Sequence, residues 1–149
     1  MRTGDLAPGF TLLDQDGAAR SLSDYLARGP VVLFFYPAAS TTGCTREACH
    51  FRDLAGDFAA AGATLVGVSM DDVSRQSDFA HVNRFDFSLL SDADGAVARL
   101  YRVKRPLDAL RVRRTTFVID PDSRIREVFS SELRMNAHAD RALEVLRAR

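Results

Sequence analysis

The chain has 149 residues, 46% hydrophobic and 27% charged, which is the size and make-up of one soluble globular domain spanning 1–149. Its twenty basic side chains balance twenty acidic ones, which excludes recognition of nucleic acid or of an anionic membrane by bulk charge. The longest apolar run, VVLFFY at 31–36, falls far short of the ~20 residues that cross a bilayer. The opening MRTGDLAPGF has no apolar core of a secretory signal, so a cytoplasmic address is expected.

FTLLDQDGAARSL reads as a hairpin around Asp16-Gly17, and SDYLARGP as one helical turn capped by Ser23 and stopped by Gly29-Pro30. VVLFFYP is too uniformly apolar for a half-exposed strand and predicts a central strand buried on both faces. From 43 to 61, Ala48, Phe51, Leu54, Ala55 and Phe58 recur at helical spacing, and Gly62 ends the run. ATLVGVSM is a second buried strand, DVSRQSDFAHVNRF a helix, FSLLSDADG a short strand and turn, and AVARLYRV a short helix. RTTFVIDPDSRIREVF predicts two strands about a tight turn, and AHADRALEVLRAR a closing helix with Ala139, Leu143 and Leu146 on one side. Arg102, Lys104, Arg105, Arg111, Arg113 and Arg114 crowd one stretch, which reads mainly as a solvated surface. This order predicts an α/β domain with a mixed sheet and helices on both faces. A thioredoxin-like fold fits it best. A flavodoxin-like sheet is second, because the final hairpin demands an antiparallel pair.

Both cysteines, Cys44 and Cys49, lie in FFYPAASTTGCTREACHF at 34–51. In a reducing cytosol a permanent disulfide is unexpected, so nearby thiols point to catalysis, redox cycling or metal. Cys44 falls where strand gives way to helix, in the first turn, where unpaired N–H groups and the positive end of the dipole favour a thiolate. Cys49 lies five residues on. In an intact helix that separation is a ~7.5 Å rise and a ~140° turn, which leaves the Cα atoms too far apart for a disulfide. Either the pair never bonds, or the helix start unwinds when it does. A metal site from Cys44, Cys49 and His50 matches no standard zinc spacing.

The segment resembles the active site of the peroxiredoxins, in the bacterioferritin comigratory protein or peroxiredoxin Q subfamily. The family pattern P-x-x-x-[TS]-x-x-C is met by Pro37, Thr41 and Cys44, and the continuation T-x-E-A-C by Thr45, Glu47, Ala48 and Cys49. The likeness extends through GDLAPGFTLLDQDG, LLSDADG and RTTFVID. It implies a thioredoxin-like fold and thiol-dependent reduction of hydrogen peroxide and organic hydroperoxides, in antioxidant defence, with no metal or organic cofactor.

By position, the resemblance makes Cys44 the peroxidatic cysteine, Cys49 the resolving one, and Thr41 the hydroxyl facing peroxide and thiolate. Pro37 shields the pocket, Gly43 lines it, and Arg114 is the active-site arginine with Arg113 as its rival. Glu47 is either an acid answering the helix dipole or the group that orients the arginine. Thioredoxin or a similar dithiol is the implied reductant, and a monomer is expected, with a weak dimer as the alternative. One departure stands out: Thr42 replaces the proline of the subfamily's T-P-G-C, which loosens the helix entrance without removing a reacting group. Two other readings remain, a one-cysteine peroxidase with Cys49 idle and a redox-sensing module.

Overall fold

The uniformly apolar run at 31–35 forms the middle of a seven-stranded sheet. The computed structural model describes residues 1–106 and 112–148; Arg111 of the basic stretch lies outside them. The strands are β1 (Thr11–Leu13), β2 (Ala19–Ser21), β3 (Val31–Phe35), β4 (Thr64–Ser69), β5 (Ser88–Ser91), β6 (Thr115–Ile119) and β7 (Ile125–Ser130), and the helices are α1 (Leu22–Leu26), α2 (Thr42–Asp53), α3 (Ala55–Ala60), α4 (Val73–Asn83), α5 (Ala96–Leu100) and α6 (Met135–Arg147). The sheet order is β2-β1-β5-β4-β3-β6-β7. β3, β4 and β5 run parallel, and β6 joins β3 antiparallel. The result is the mixed sheet with an N-terminal hairpin expected above.

Alternation along β3 sorts the core into two layers. Val31, Leu33 and Phe35 join Tyr25, Val97, Tyr101 and Phe117 on the α1/α5 face. Val32, Phe34 and Tyr36 join Cys44, Phe51, Phe58, Phe79 and Ala139 on the α2/α3/α4/α6 face. α2 is seated on that second layer by Phe51, whose ring stacks on Phe34 with centroids 4.2 Å apart, a contact of roughly 0.5–1.5 kcal/mol beyond the area it buries. No described helix is long and apolar enough to cross a membrane.

Three boundaries differ from the sequence reading. The first helix begins at Leu22, with extended Ser21 rather than Ser23 at its N-cap, because the Leu22 N–H is still engaged by the Phe10 carbonyl of the hairpin. The helix expected over 43–61 is two helices, which meet at Leu54 with φ −97° and ψ 9°. Gly56 in the following turn lowers the cost of leaving helical geometry there. The last helix starts at Met135, before Ala137, because the Ser131 hydroxyl accepts the Arg134 N–H and winds the chain early.

Candidate active site

β3 and β6 are antiparallel and pair Phe35 with Thr115, so the end of β3 and the residue before β6 lie side by side. The chain leaves β3 through Tyr36 and Pro37, turns at Ser40 with φ 63°, and enters α2 at Thr42. This loop is anchored from below: the Ala39 N–H donates to Asp71 Oδ2 at 2.7 Å, and the same oxygen accepts from Ser69 Oγ at 2.7 Å. Gln76 donates to Ser69 Oγ and to the Leu90 carbonyl and accepts from the Tyr36 hydroxyl. That buried chain of polar groups fixes the backbone ahead of the cysteine.

Cys44 is the third residue of α2 and only 1% exposed. Arg114 reaches it from the foot of β6. Its Nη2 donates to Cys44 Sγ at 3.3 Å and its Nη1 to Glu47 Oε1 at 2.8 Å, so one planar fork spans a thiol and a carboxyl three residues apart on one helix face. Arg114 is itself clamped: its N–H donates to Glu132 Oε2 at 2.9 Å and its carbonyl accepts from Ser131 N. Gly43 makes the approach possible, since a Cβ there would stand 3.3 Å from Arg114 Nη2 and 3.0 Å from Met135 Cε. Arg113 is exposed and turned away, as alternation along an extended segment requires.

The other sequence-predicted residues are placed less uniformly. Thr41 is exposed and its Oγ1 donates to the Ala38 carbonyl at 2.9 Å, without capping α2. Pro37 is half-buried. Cys49 lies in the same unbroken helix, half-buried, and its thiol faces Asn83 Oδ1 at 3.6 Å on α4. Both cysteines are free. His50 faces away from them, pairing with Asp140 at 2.7 Å, and no cluster of described residues could hold a metal.

Burial pushes the Glu47 carboxyl up to about 8, against the downward pull of Arg114. Burial also opposes the Arg114 charge, but Glu47 and Cys44 hold its affinity for the proton above the usual guanidinium value. Behind Glu47 stands His138, fully buried, with Nδ1 3.4 Å from Glu47 Oε2. The raised value has a sign for stability. Glu47 binds its proton more tightly folded than unfolded, so its contribution is complete below about 4.5 and lost as pH rises through about 8. Glu47→Gln cannot ionise and should gain on the parent across that window. We expect its thermal midpoint, relative to the parent's, to rise by roughly 2–4 °C or more between pH 5 and pH 8. A constant difference in calorimetry would show that the folded carboxyl titrates as it does unfolded.

Sequence reasoning missed His138, Thr116, Glu132 and Asn83. Two of them left a signal. Thr116 is two residues from Arg114 and so shares its face of the strand. His138 is four residues before the buried Ala142, on the inward stripe of α6.

Residues 3–128 match the AhpC/TSA family. The chain is a peroxiredoxin of that family. The crystal structure of peroxidoxin BcpB from Mycobacterium tuberculosis is 58% identical, superposes with a TM-score of 0.95, and covers 99% of this chain and 97% of that one. The bacterioferritin comigratory protein of Xanthomonas campestris is 31% identical with a TM-score of 0.85, over 93% of this chain and 90% of that one. The chloroplast peroxiredoxin Q of Populus jackii is 39% identical over 97% of this chain and 68% of its own length. This peroxiredoxin is therefore of the bacterioferritin comigratory or Q type, has the thioredoxin-like fold, and is a peroxidase that consumes peroxide at the expense of thiols.

Proposed function

We propose that Cys44 is the sulfur that attacks peroxide, that Cys49 resolves the product, and that a dithiol protein such as thioredoxin restores both. The observation that carries this reading is the 3.3 Å contact of Arg114 Nη2 with Cys44 Sγ at the first turn of a twelve-residue helix. A planar cation touches the one buried thiol, and the thiol stands in the first turn of the helix, where the positive end of the dipole lies.

In the proposed reaction the thiolate sulfur attacks one peroxide oxygen in line with the O–O bond. That bond breaks, its electron pair leaves on the distal oxygen, and a proton makes this oxygen water or an alcohol. Sulfur is oxidised by two electrons to the sulfenic acid and the peroxide is reduced by two. Arg114 is positioned to hold charge as it passes from sulfur to oxygen, and Thr41, released from Ala38, is within the same loop to orient the oxygens. Organic hydroperoxides are included as substrates, since alkyl peroxide reduction is described for the Xanthomonas campestris relative.

Resolution follows when Cys49 sulfur displaces hydroxide from the sulfenic acid, leaving a disulfide and water. External dithiol then reduces the disulfide by exchange. In the closed helix Cys49 is held by Asn83 on the side away from Arg114, so α2 must open first. Cys44, Cys49, Thr41 and Arg114 all belong to this chain, which supports a site that works in a monomer.

The test is intact-mass spectrometry of the reduced protein after one equivalent of peroxide. The parent is expected to lose two hydrogens as a Cys44–Cys49 disulfide. Cys49→Ser is expected to gain one oxygen at Cys44 at an undiminished rate, but to lose steady-state turnover with thioredoxin by roughly 10²-fold or more. Equal turnover in the two proteins would make Cys49 idle and the enzyme a one-cysteine peroxidase.

A further inference from the structure

His138 has a hydrogen-bonding pattern that leaves little choice of tautomer. Its Nε2 faces the Ser131 carbonyl at 2.8 Å, and a carbonyl only accepts, so Nε2 carries hydrogen. Its Nδ1 lies 2.8 Å from Thr116 Oγ1 and 3.4 Å from Glu47 Oε2. Glu47 Oε1 is engaged by Arg114, while Oε2 is buried with no hydrogen-bond partner. With a neutral ring and an ionised carboxylate, two lone pairs would confront each other in a fully buried gap. One proton in that gap turns the repulsion into a hydrogen bond after a shift of a few tenths of an ångström. The Thr116 hydroxyl is a rotor that donates or accepts, so it accommodates either owner of the proton.

We propose that Glu47 and His138 hold a single shared proton as a neutral acid–imidazole pair behind Arg114, which leaves the guanidinium charge to the Cys44 sulfur and the substrate oxygens. Glu47 and His138 are thus positioning residues: Oε1 orients the fork without cancelling its charge. The groups facing the pair are Arg114 ahead of β6, Glu132 between β7 and α6, and the Phe129 ring of β7, set edge-to-face with His138 at 4.9 Å and itself under the Arg134 guanidinium. Glu132 and burial favour the protonated carboxyl. Burial lowers His138 to about 4, against the Ser131 carbonyl, so the ring is the acceptor and the carboxyl the owner. Above about pH 8 the carboxyl ionises, pairs with Arg114, and withdraws that charge from the reacting atoms.

This inference rests on the peroxidatic reading of Cys44 for its kinetic consequence, but not for its chemistry, so two measurements are paired. Nitrogen-15 NMR of the reduced, unaltered protein should show His138 neutral with hydrogen on Nε2 from pH 5 to pH 8. An imidazolium at pH 7, or hydrogen resident on Nδ1 of a neutral ring, would overturn the proposal. Quench-flow oxidation of Cys44 by hydrogen peroxide should slow by roughly tenfold between pH 7 and pH 9 in the parent, and Glu47→Gln should lose that alkaline fall. A fall that persists in Glu47→Gln, or no fall in the parent, would refute the charge role. Failure of Cys44 to react at any pH would instead refute the peroxidatic assignment, and carbon-13 NMR of the Glu47 carboxyl would then decide the shared proton: a protonated carboxyl at pH 7 upholds it and an ionised one overturns it.

Discussion

Cys44→Ser is expected to bring peroxide turnover down to the background of the buffer, a loss of at least roughly 10³–10⁴-fold. A serine hydroxyl keeps its proton at neutral pH and offers the O–O bond no comparable nucleophile. The second thiol does not substitute for it. Cys49 faces Asn83 on α4, outside the reach of the Arg114 fork, which spans Cys44 and Glu47. The fold should survive, because the new hydroxyl is nearly isosteric and can accept the Nη2 hydrogen, so stability should change by no more than about 1 kcal/mol. Peroxide consumption with thioredoxin and its reductase, beside a thermal melt, measures both. Appreciable turnover in a folded Cys44→Ser protein would move the chemistry to another sulfur.

Arg114→Met is expected to slow the oxidation of Cys44 by roughly 10²–10³-fold, the usual cost of removing one preorganised donor from a developing charge. Breaking a buried ion pair commonly costs about 3–5 kcal/mol, because a bare charge is left behind. Here the cost should be smaller. Burial already holds Glu47 toward its neutral form, with a value of about 8, so the carboxyl can keep its proton when the cation goes. The Arg114→Met/Glu47→Gln double variant separates the two effects: it should regain most of the lost stability and none of the lost rate. Arg114→Lys should fall between parent and Met, because a point charge cannot span Sγ and Oε1 as the fork does. A single-turnover rate within threefold of the parent for Arg114→Met would remove the guanidinium from the mechanism.

The sequence made the framework legible because burial leaves periodic marks. The all-apolar run at 31–35 announced β3, the turn at 120–123 announced the β6–β7 hairpin, and the proline-threonine-cysteine spacing located the loop. Arg114 was legible as one of two neighbours, and alternation alone could not choose between it and Arg113. The choice depends on the antiparallel register of β6 against β3, a long-range pairing that no local window contains. His138 and Glu132 were hidden for the same reason: they reach the site from α6 and from the turn before it, some ninety residues after Cys44. The break at Leu54 was masked because Phe51 and Phe58 keep one apolar stripe across it, and hydrophobic periodicity does not register a backbone that stops and restarts on the same face.

That break has a mechanical meaning. A helix running without interruption into the segment beneath β4 would transmit any fraying at its start to the sheet. With the helical backbone interrupted at Leu54, α2 and α3 are separate helices, so fraying at the start of α2 has a place to stop before α3, which keeps Phe58 in the core. The opening of α2 that the proposed resolution step calls for would therefore draw on twelve residues at most, and α3 and the sheet beneath it would keep their packing.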